Sequence, residues 1–356
     1  MGSFRRGFLN RSPVVLLVAA VLLVPALLGF QWLFTSGVWT AVPLDRCLRN
    51  PEDSFTYISW MVGRARRDPP GTPAVYLLGG SSARESIVSG ESLAAQIEEL
   101  GGPRVAAYDL GSMNQNFAQA MAVVDAVPDT PAWLLVGVNL GRFTPTREQN
   151  ALQVEGREFL LRSSALRRFV AAEWDLQRYQ YTILPGIWSY ITDWARTHGA
   201  ALLEGEPPST PYELHRYSED TARSTRYKER LVGVWNTRRY PVFKENRASN
   251  LAMLEELLRR ARERGVRVVL LELPLNNEVV RGRFRRAQRA YRAPVGRLAR
   301  EYDAPYLDLN ETVAIPDAYF QDLSHLVEPG RVIWQSALAA ALVKLMTDEG
   351  TEGKSG

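Results

Sequence analysis

"AVYLLGGSS", residues 74–82, is a run of five apolar residues that ends in two glycines and two serines. Ala74–Leu78 has the length and apolarity of a buried strand, and the glycines permit a tight turn behind it. A serine pair at such a turn fits three uses: the cap of a following helix, a phosphate cradle, or a nucleophile. Residues elsewhere in the chain separate them.

Working outward, apolar strands alternate with amphipathic helices. "GESLAAQIEELGG" (90–102) reads as a helix with a glycine stop, "RVAAYDLGS" (104–112) as a second strand, "QAMAVVDAV" (119–127) as a helix and "AWLLVGVN" (132–139) as a third strand. The alternation resumes with the helix "NLAMLEELLRRARERG" (250–265), whose Leu251, Leu254, Leu257 and Leu258 share one face, and the strand "VRVVLLELPLN" (266–276). A further helix (285–303), the short strand "APYLDLN" (304–310) and the helix "RVIWQSALAAALVKLM" (331–346) complete it. Strands separated by helices pair in parallel through right-handed crossovers, which predicts a three-layer α/β sandwich. Ligands of such sheets bind beyond the carboxyl ends of the strands.

Those ends carry chemistry. The first strand ends at Gly79-Gly80-Ser81-Ser82, the second at Asp109-Leu110-Gly111-Ser112-Met113-Asn114 and the third at Gly137-Val138-Asn139-Leu140. Past the last strand, "FQDLSHLVEPGRVIW" (320–334) holds Asp322 and His325 three residues apart. A serine hydroxyl becomes a nucleophile when a histidine removes its proton, and a carboxylate orients that histidine. The backbone N–H groups of Ser81 and Gly111 and the Asn139 amide are the expected donors to the oxyanion. Arg84, Asn114 and Arg142 are candidate substrate contacts, with pairing to Glu85 an alternative for Arg84.

This order of blocks resembles the SGNH (GDSL-type) hydrolase superfamily over about residues 74–143 and 248–345. The resemblance implies a flavodoxin-like sandwich with Ser81 as nucleophile, Asp322 and His325 completing the triad, and Gly111 and Asn139 as oxyanion donors. Two blocks depart from the usual pattern: Gly79-Gly80-Ser81 stands for Gly-Asp-Ser, and Gly137-Val138-Asn139-Leu140 for Gly-x-Asn-Asp. Neither missing aspartate belongs to the triad. The chain is also similar to membrane-tethered proteins of alginate O-acetylation and teichoic acid D-alanylation, which implies a multi-span membrane O-acyltransferase as partner.

At the N-terminus, residues 1–12 carry Arg5, Arg6 and Arg11 and no acid, and form the expected cytoplasmic tail. Residues 13–35 follow as an apolar span that matches a ~30 Å hydrocarbon core and exceeds a signal-peptide core. An uncleaved signal anchor is expected, with a cytoplasmic N-terminus and the remainder extracytoplasmic. Residues 36–72 read as a linker, 73–345 as the hydrolase-like domain and 346–356 as a disordered tail. Within the domain an insert over about 145–247 is rich in Arg, Trp and Tyr, including Trp174, Tyr179, Tyr181, Trp188, Tyr190 and Trp194. Those rings suit a helical cap on the sheet, a sugar- or acyl-binding groove, or the bilayer surface.

Composition excludes several other classes. The single cysteine, Cys47, rules out an intramolecular disulfide and any CxxC motif. The net charge of +4 comes from scattered arginines, so no nucleic-acid partner is expected. GxSxG, GxxxxGK[ST] and HExxH are absent, and no metal or cofactor is expected. The expected function is a membrane-anchored serine esterase acting on an O-acyl ester of an acylated carbohydrate, lipid or envelope component. An O-acyltransferase would use the same triad, and a non-catalytic polymer-binding protein is the rival from another class.

Overall fold

The computed structural model describes residues 12–35, 54–154 and 220–352. β1 (Ala74–Leu78) and β3 (Ala132–Val138) are buried along their whole length, as strands covered on both faces must be. β2 (Ala106–Asp109), β4 (Arg267–Glu272) and β5 (Tyr306–Asp308) complete one sheet in the order β2-β1-β3-β4-β5. Every neighbouring pair is parallel, with Leu77 opposite Asp109 and Leu135, and Val138 opposite Glu272. This is the strand order of flavodoxin-like doubly wound sheets, whose ligands sit where the winding reverses, between β1 and β3.

Helices cover both faces. α1 (Pro13–Thr35) precedes the domain. α2 (Ser54–Arg67), α3 (Ser81–Arg84) and α4 (Gly90–Glu99) follow, then α5 (Phe117–Ala126), α6 (Arg147–Val154), α7 (Thr225–Val234) and α8 (Tyr240–Glu263). α9 (Asn277–Val280), α10 (Arg285–Glu301) and α11 (Glu328–Glu352) complete the series. Tyr76, Leu134 and Val136 of the sheet join α2, α5, α8 and α10 in one apolar cluster. Val75, Leu77 and Leu135 join α4 and α11 in the other. The sheet is therefore the middle of three layers.

Local chemistry sets the ends of these elements. Ser89 caps α4 through Ser92 N, and Gly101 leaves the helix at φ +80°, where glycine alone is unstrained. Asn116 and Gln119 form a reciprocal capping box on α5. A π-helical segment, Trp235–Arg239, joins α7 to α8.

Three expected boundaries differ. The linker contains α2, whose Ile58, Val62 and Ala65 are buried against the core; their 4,3 spacing is that of an amphipathic helix. α8 begins ten residues before the expected start at 250, at Tyr240. The tail expected to be disordered from 346 continues α11 through Glu352. Of the insert, 155–219 and its six singled-out aromatics lie outside the described residues, and the described flanks are helical.

α1 is a helix of 23 residues without a charged side chain, and the side chains at 16, 20 and 30–35 lie outside the described residues. Counted over described residues alone, no helix is long and apolar enough to cross a membrane.

Candidate active site

β1 delivers Ser81 to the carboxyl edge of the sheet, and α3 begins at that residue. Gly79 is obligatory there because a Cβ would meet the Ala83 Cβ at 2.5 Å. On the opposite side, a loop between Phe320 and Leu326, closed by an antiparallel bridge, presents Asp322 and His325. The Gln321 N–H donates to the His325 carbonyl at 2.8 Å, which tightens the loop.

These elements bring the expected triad together. His325 Nε2 lies 2.8 Å from Ser81 Oγ, and His325 Nδ1 lies 2.7 Å from Asp322 Oδ2. Asp322 Oδ1 accepts the backbone N–H groups of Ser324 and His325 at 2.8 and 2.9 Å. The carboxylate thus directs the Nδ1 proton toward itself and leaves the Nε2 lone pair to Ser81. Burial pushes the Asp322 carboxyl up, but the His325 hydrogen bond and charge and the two backbone donors outweigh it, holding the carboxyl below its ordinary range. Burial pushes His325 down, while its bond to Asp322 and the charges of Asp322 and Glu85 outweigh that effect and raise it.

Ser82 makes a different contact. Its Oγ accepts a hydrogen bond from Asn139 Nδ2 at 3.0 Å, and Asn139 Oδ1 accepts the Arg142 N–H at 3.1 Å. Of the two serines, Ser81 faces the base and Ser82 holds Asn139. Asn139, at the end of β3, lines the same cavity as the triad.

Gly111 does not line the cavity among the described residues. Its N–H donates to Asp109 Oδ1 at 3.1 Å, and a Cβ on it would meet the Arg84 backbone N at 2.9 Å. It is a packing glycine, a role that β2's end and α3 impose by their close approach. Asn114 and Gln115 of this loop reach the cavity, Asn114 at φ +53°, a left-handed conformation that Asn tolerates better than most residues. The Asn114 backbone N–H has no protein acceptor among the described residues. The residues Met113-Asn114-Gln115 before the α5 cap were the available signal, since Asn is a common substitute for glycine at positive φ.

The two arginines are also placed differently from expectation. Arg84 is buried and stacks over the Tyr57 ring at 5.3 Å, away from the cavity lining, so it is not a substrate contact. Arg142 borders the cavity but is buried. Its guanidinium lies 4.3 Å from the Phe117 ring centre, and Nη1 donates to the Gly137 carbonyl at 3.0 Å. Burial pushes it down to about 9. With Nε and Nη2 enclosed as well, it braces the turn that carries Asn139.

Three supports had no sequence signal. Glu85, fully buried, pairs with Arg331 at 3.4 Å, and Arg331 donates to the Leu326 carbonyl, fixing the base of the histidine loop. Asn276 Nδ2 donates to Asp317 Oδ1 at 2.7 Å, and buried Lys228 pairs with the same carboxylate at 2.6 Å. Glu272, at the end of β4, accepts the Tyr291 hydroxyl and the Tyr306 hydroxyl, the latter at 2.5 Å. Burial pushes Glu272 up to about 7 against the Arg292 charge and these bonds.

The cavity measures about 860 Å³. Ser81, Asn114, Asn139 and His325 form one end, and Leu231, Val234, Trp235, Val242 and Phe284 form an apolar wall. Trp235 belongs to the π-helical segment, a distortion frequent at functional sites. Among the described residues no group of three His, Cys, Asp or Glu side chains is placed to hold a metal. In comparisons with known proteins, the chain matches no family model and no curated protein sequence.

Proposed function

We propose that this chain is an SGNH-type serine esterase that hydrolyses an O-acyl ester of a carbohydrate or envelope component. The observation that carries the reading is the pair of contacts on one imidazole: Ser81 Oγ at 2.8 Å from Nε2 and Asp322 Oδ2 at 2.7 Å from Nδ1. A serine at a helix start, a histidine and a half-buried carboxylate held in hydrogen-bond sequence at one end of a cavity meet the geometric test for nucleophile, base and orienting acid.

In the proposed reaction Ser81 Oγ attacks the ester carbonyl and its proton passes to His325 Nε2. The charge that builds on the carbonyl oxygen faces the Ser81 and Asn114 N–H groups and the Asn139 amide, which is already oriented by Ser82 and the Arg142 N–H. His325 returns the proton to the departing alcohol, leaving an acyl-serine. Water then attacks that ester, His325 takes its proton, and the acid leaves as Ser81 recovers the hydrogen. A sugar hydroxyl in place of water would make the same residues an acyltransferase.

The apolar helix Pro13–Thr35, with Leu17 and Leu22 each 65 % exposed, supports a membrane anchor for this enzyme. The test is release of p-nitrophenol from p-nitrophenyl acetate by the full chain in detergent. Ser81→Ala and His325→Ala are expected to lose roughly 10⁴-fold in kcat/KM. Retained activity in Ser81→Ala would overturn the assignment. Adding acetylated polysaccharide or a free sugar acceptor to the same assay reports whether water or a hydroxyl receives the acyl group.

A further inference from the structure

α10, "RRAQRAYRAPVGRLARE", carries Arg285, Arg286, Arg289, Arg292, Arg297 and Arg300. At 3.6 residues per turn these six positions fall within roughly 140° of the helix circumference. The opposite face holds the buried Ala287, Tyr291, Val295 and Ala299. Glu301, the last residue, is the helix's single acid. All six arginines but Arg292 are exposed.

Arg292 is neutralised by Glu272 and Asp308, at 3.2 and 2.9 Å. The other five have no acidic partner among the described residues. The arginines of α8 differ in part. On α8, Arg259 meets Glu256 and Glu263, Arg260 meets Glu256 and Asp125, and Arg264 just beyond meets Asp129. Five uncompensated charges on one helix exceed the +4 of the entire chain. Like charges at i,i+3 and i,i+4 oppose helix formation, so the stripe costs local stability.

The stripe has shape as well as charge. Arg289, Arg292, Arg297 and Arg300 fence a shallow concavity floored by Ala293, Pro294 and Gly296. Arg300 Nη1 lies 3.8 Å from where a Gly296 Cβ would be. At its N-terminal end α10 borders the cavity through Gln288, which lies off the arginine face, and the Arg286 guanidinium lies 5.9 Å from the Tyr240 ring centre. Arginine's planar fork binds phosphate or carboxylate in bidentate fashion. None of the large exposed apolar residues lies on α10, so the stripe offers a bilayer nothing to insert.

We infer that the exposed face of α10 binds a linear polyanion bearing phosphate or carboxylate groups. The proposal stands independently of the esterase reading. The test is fluorescence anisotropy of the full chain in detergent with labelled inorganic polyphosphate and, separately, labelled polygalacturonate. The two probes distinguish phosphate from carboxylate. The triple variant Arg289→Gln/Arg297→Gln/Arg300→Gln should bind roughly tenfold more weakly at 0.15 M salt, and wild-type affinity should fall steeply with salt. A control triple, Arg66→Gln/Arg104→Gln/Arg226→Gln, should bind as wild type; equal circular dichroism and melting of all three proteins excludes unfolding. The proposal is overturned by no binding to either polymer, by unchanged binding in the α10 triple, or by an equal loss in the control. Binding to phosphatidylglycerol vesicles without binding to either polymer would overturn it in favour of a membrane surface.

Discussion

Replacing Asp322 by Asn probes the hydrogen-bond direction on which the site depends. Asp322 Oδ1 accepts two backbone N–H groups, at 2.8 and 2.9 Å, and Oδ2 faces His325 Nδ1 at 2.7 Å. In the variant the amide oxygen keeps the two backbone donors, because the NH₂ group cannot accept them. The NH₂ group then faces Nδ1, which must present a lone pair, and the imidazole proton moves to Nε2. There it points at Ser81 Oγ, 2.8 Å away, so His325 can no longer take the serine proton. A tautomer reversal of this kind costs about 10⁴-fold, equivalent to about 5.5 kcal/mol of transition-state stabilisation. The shape of the residue is conserved, so the fold is expected to persist. The assay is the second-order rate of Ser81 modification by a fluorophosphonate, followed at several pH values in wild type and variant, with circular dichroism on both. A loss of less than tenfold in a folded variant would refute the assigned hydrogen-bond direction.

Other outcomes follow from the same contacts. Asn139→Ala removes an oxyanion donor and the partner of Ser82, and should lower kcat by about 10²–10³ with a smaller effect on KM; titrating p-nitrophenyl acetate separates the two. Gly111→Ala drives a Cβ to 2.9 Å from the Arg84 backbone and should destabilise the fold by about 1–3 kcal/mol, read by urea unfolding. His325 must be neutral to act as base, and its raised pKa means that kcat/KM should rise through a midpoint above the ordinary 6.5, falling back in Asp322→Asn. Linkage has the opposite sign: protonated His325 contributes stability below about pH 6.5, lost as pH rises through the raised value, which thermal melts of wild type and His325→Gln measure.

The sheet was legible because buried parallel strands are apolar along their length, as "AVYLL" and "AWLLVGV" are. Asp322 and His325 were legible because a carboxylate three residues from a histidine, in a Pro/Gly-closed loop, restricts what the pair can do. At Gly111 the sequence does not separate two demands that glycine answers to, a donor left bare and a backbone packed closely, because spacing is the same for both. Here the close approach of α3 accounts for Gly111, and the left-handed turn falls on Asn114. Arg84 was misplaced for a similar reason: its position next to the nucleophile says nothing about direction, and a helix of four residues turns it into the core. Glu85 and Arg331, 246 residues apart, pair only through the topology. In α2, Ile58, Val62 and Ala65 were hidden by the Arg- and Pro-rich sequence that follows them.

The most direct measurement is intact-protein and peptide mass spectrometry after treatment of the full chain with a fluorophosphonate. The expected result is one adduct on Ser81, none in Ser81→Ala, and wild-type labelling in Arg66→Gln. A folded wild-type protein that stays unmodified, or an adduct that persists in Ser81→Ala, would contradict the assignment of Ser81, His325 and Asp322 as a catalytic triad.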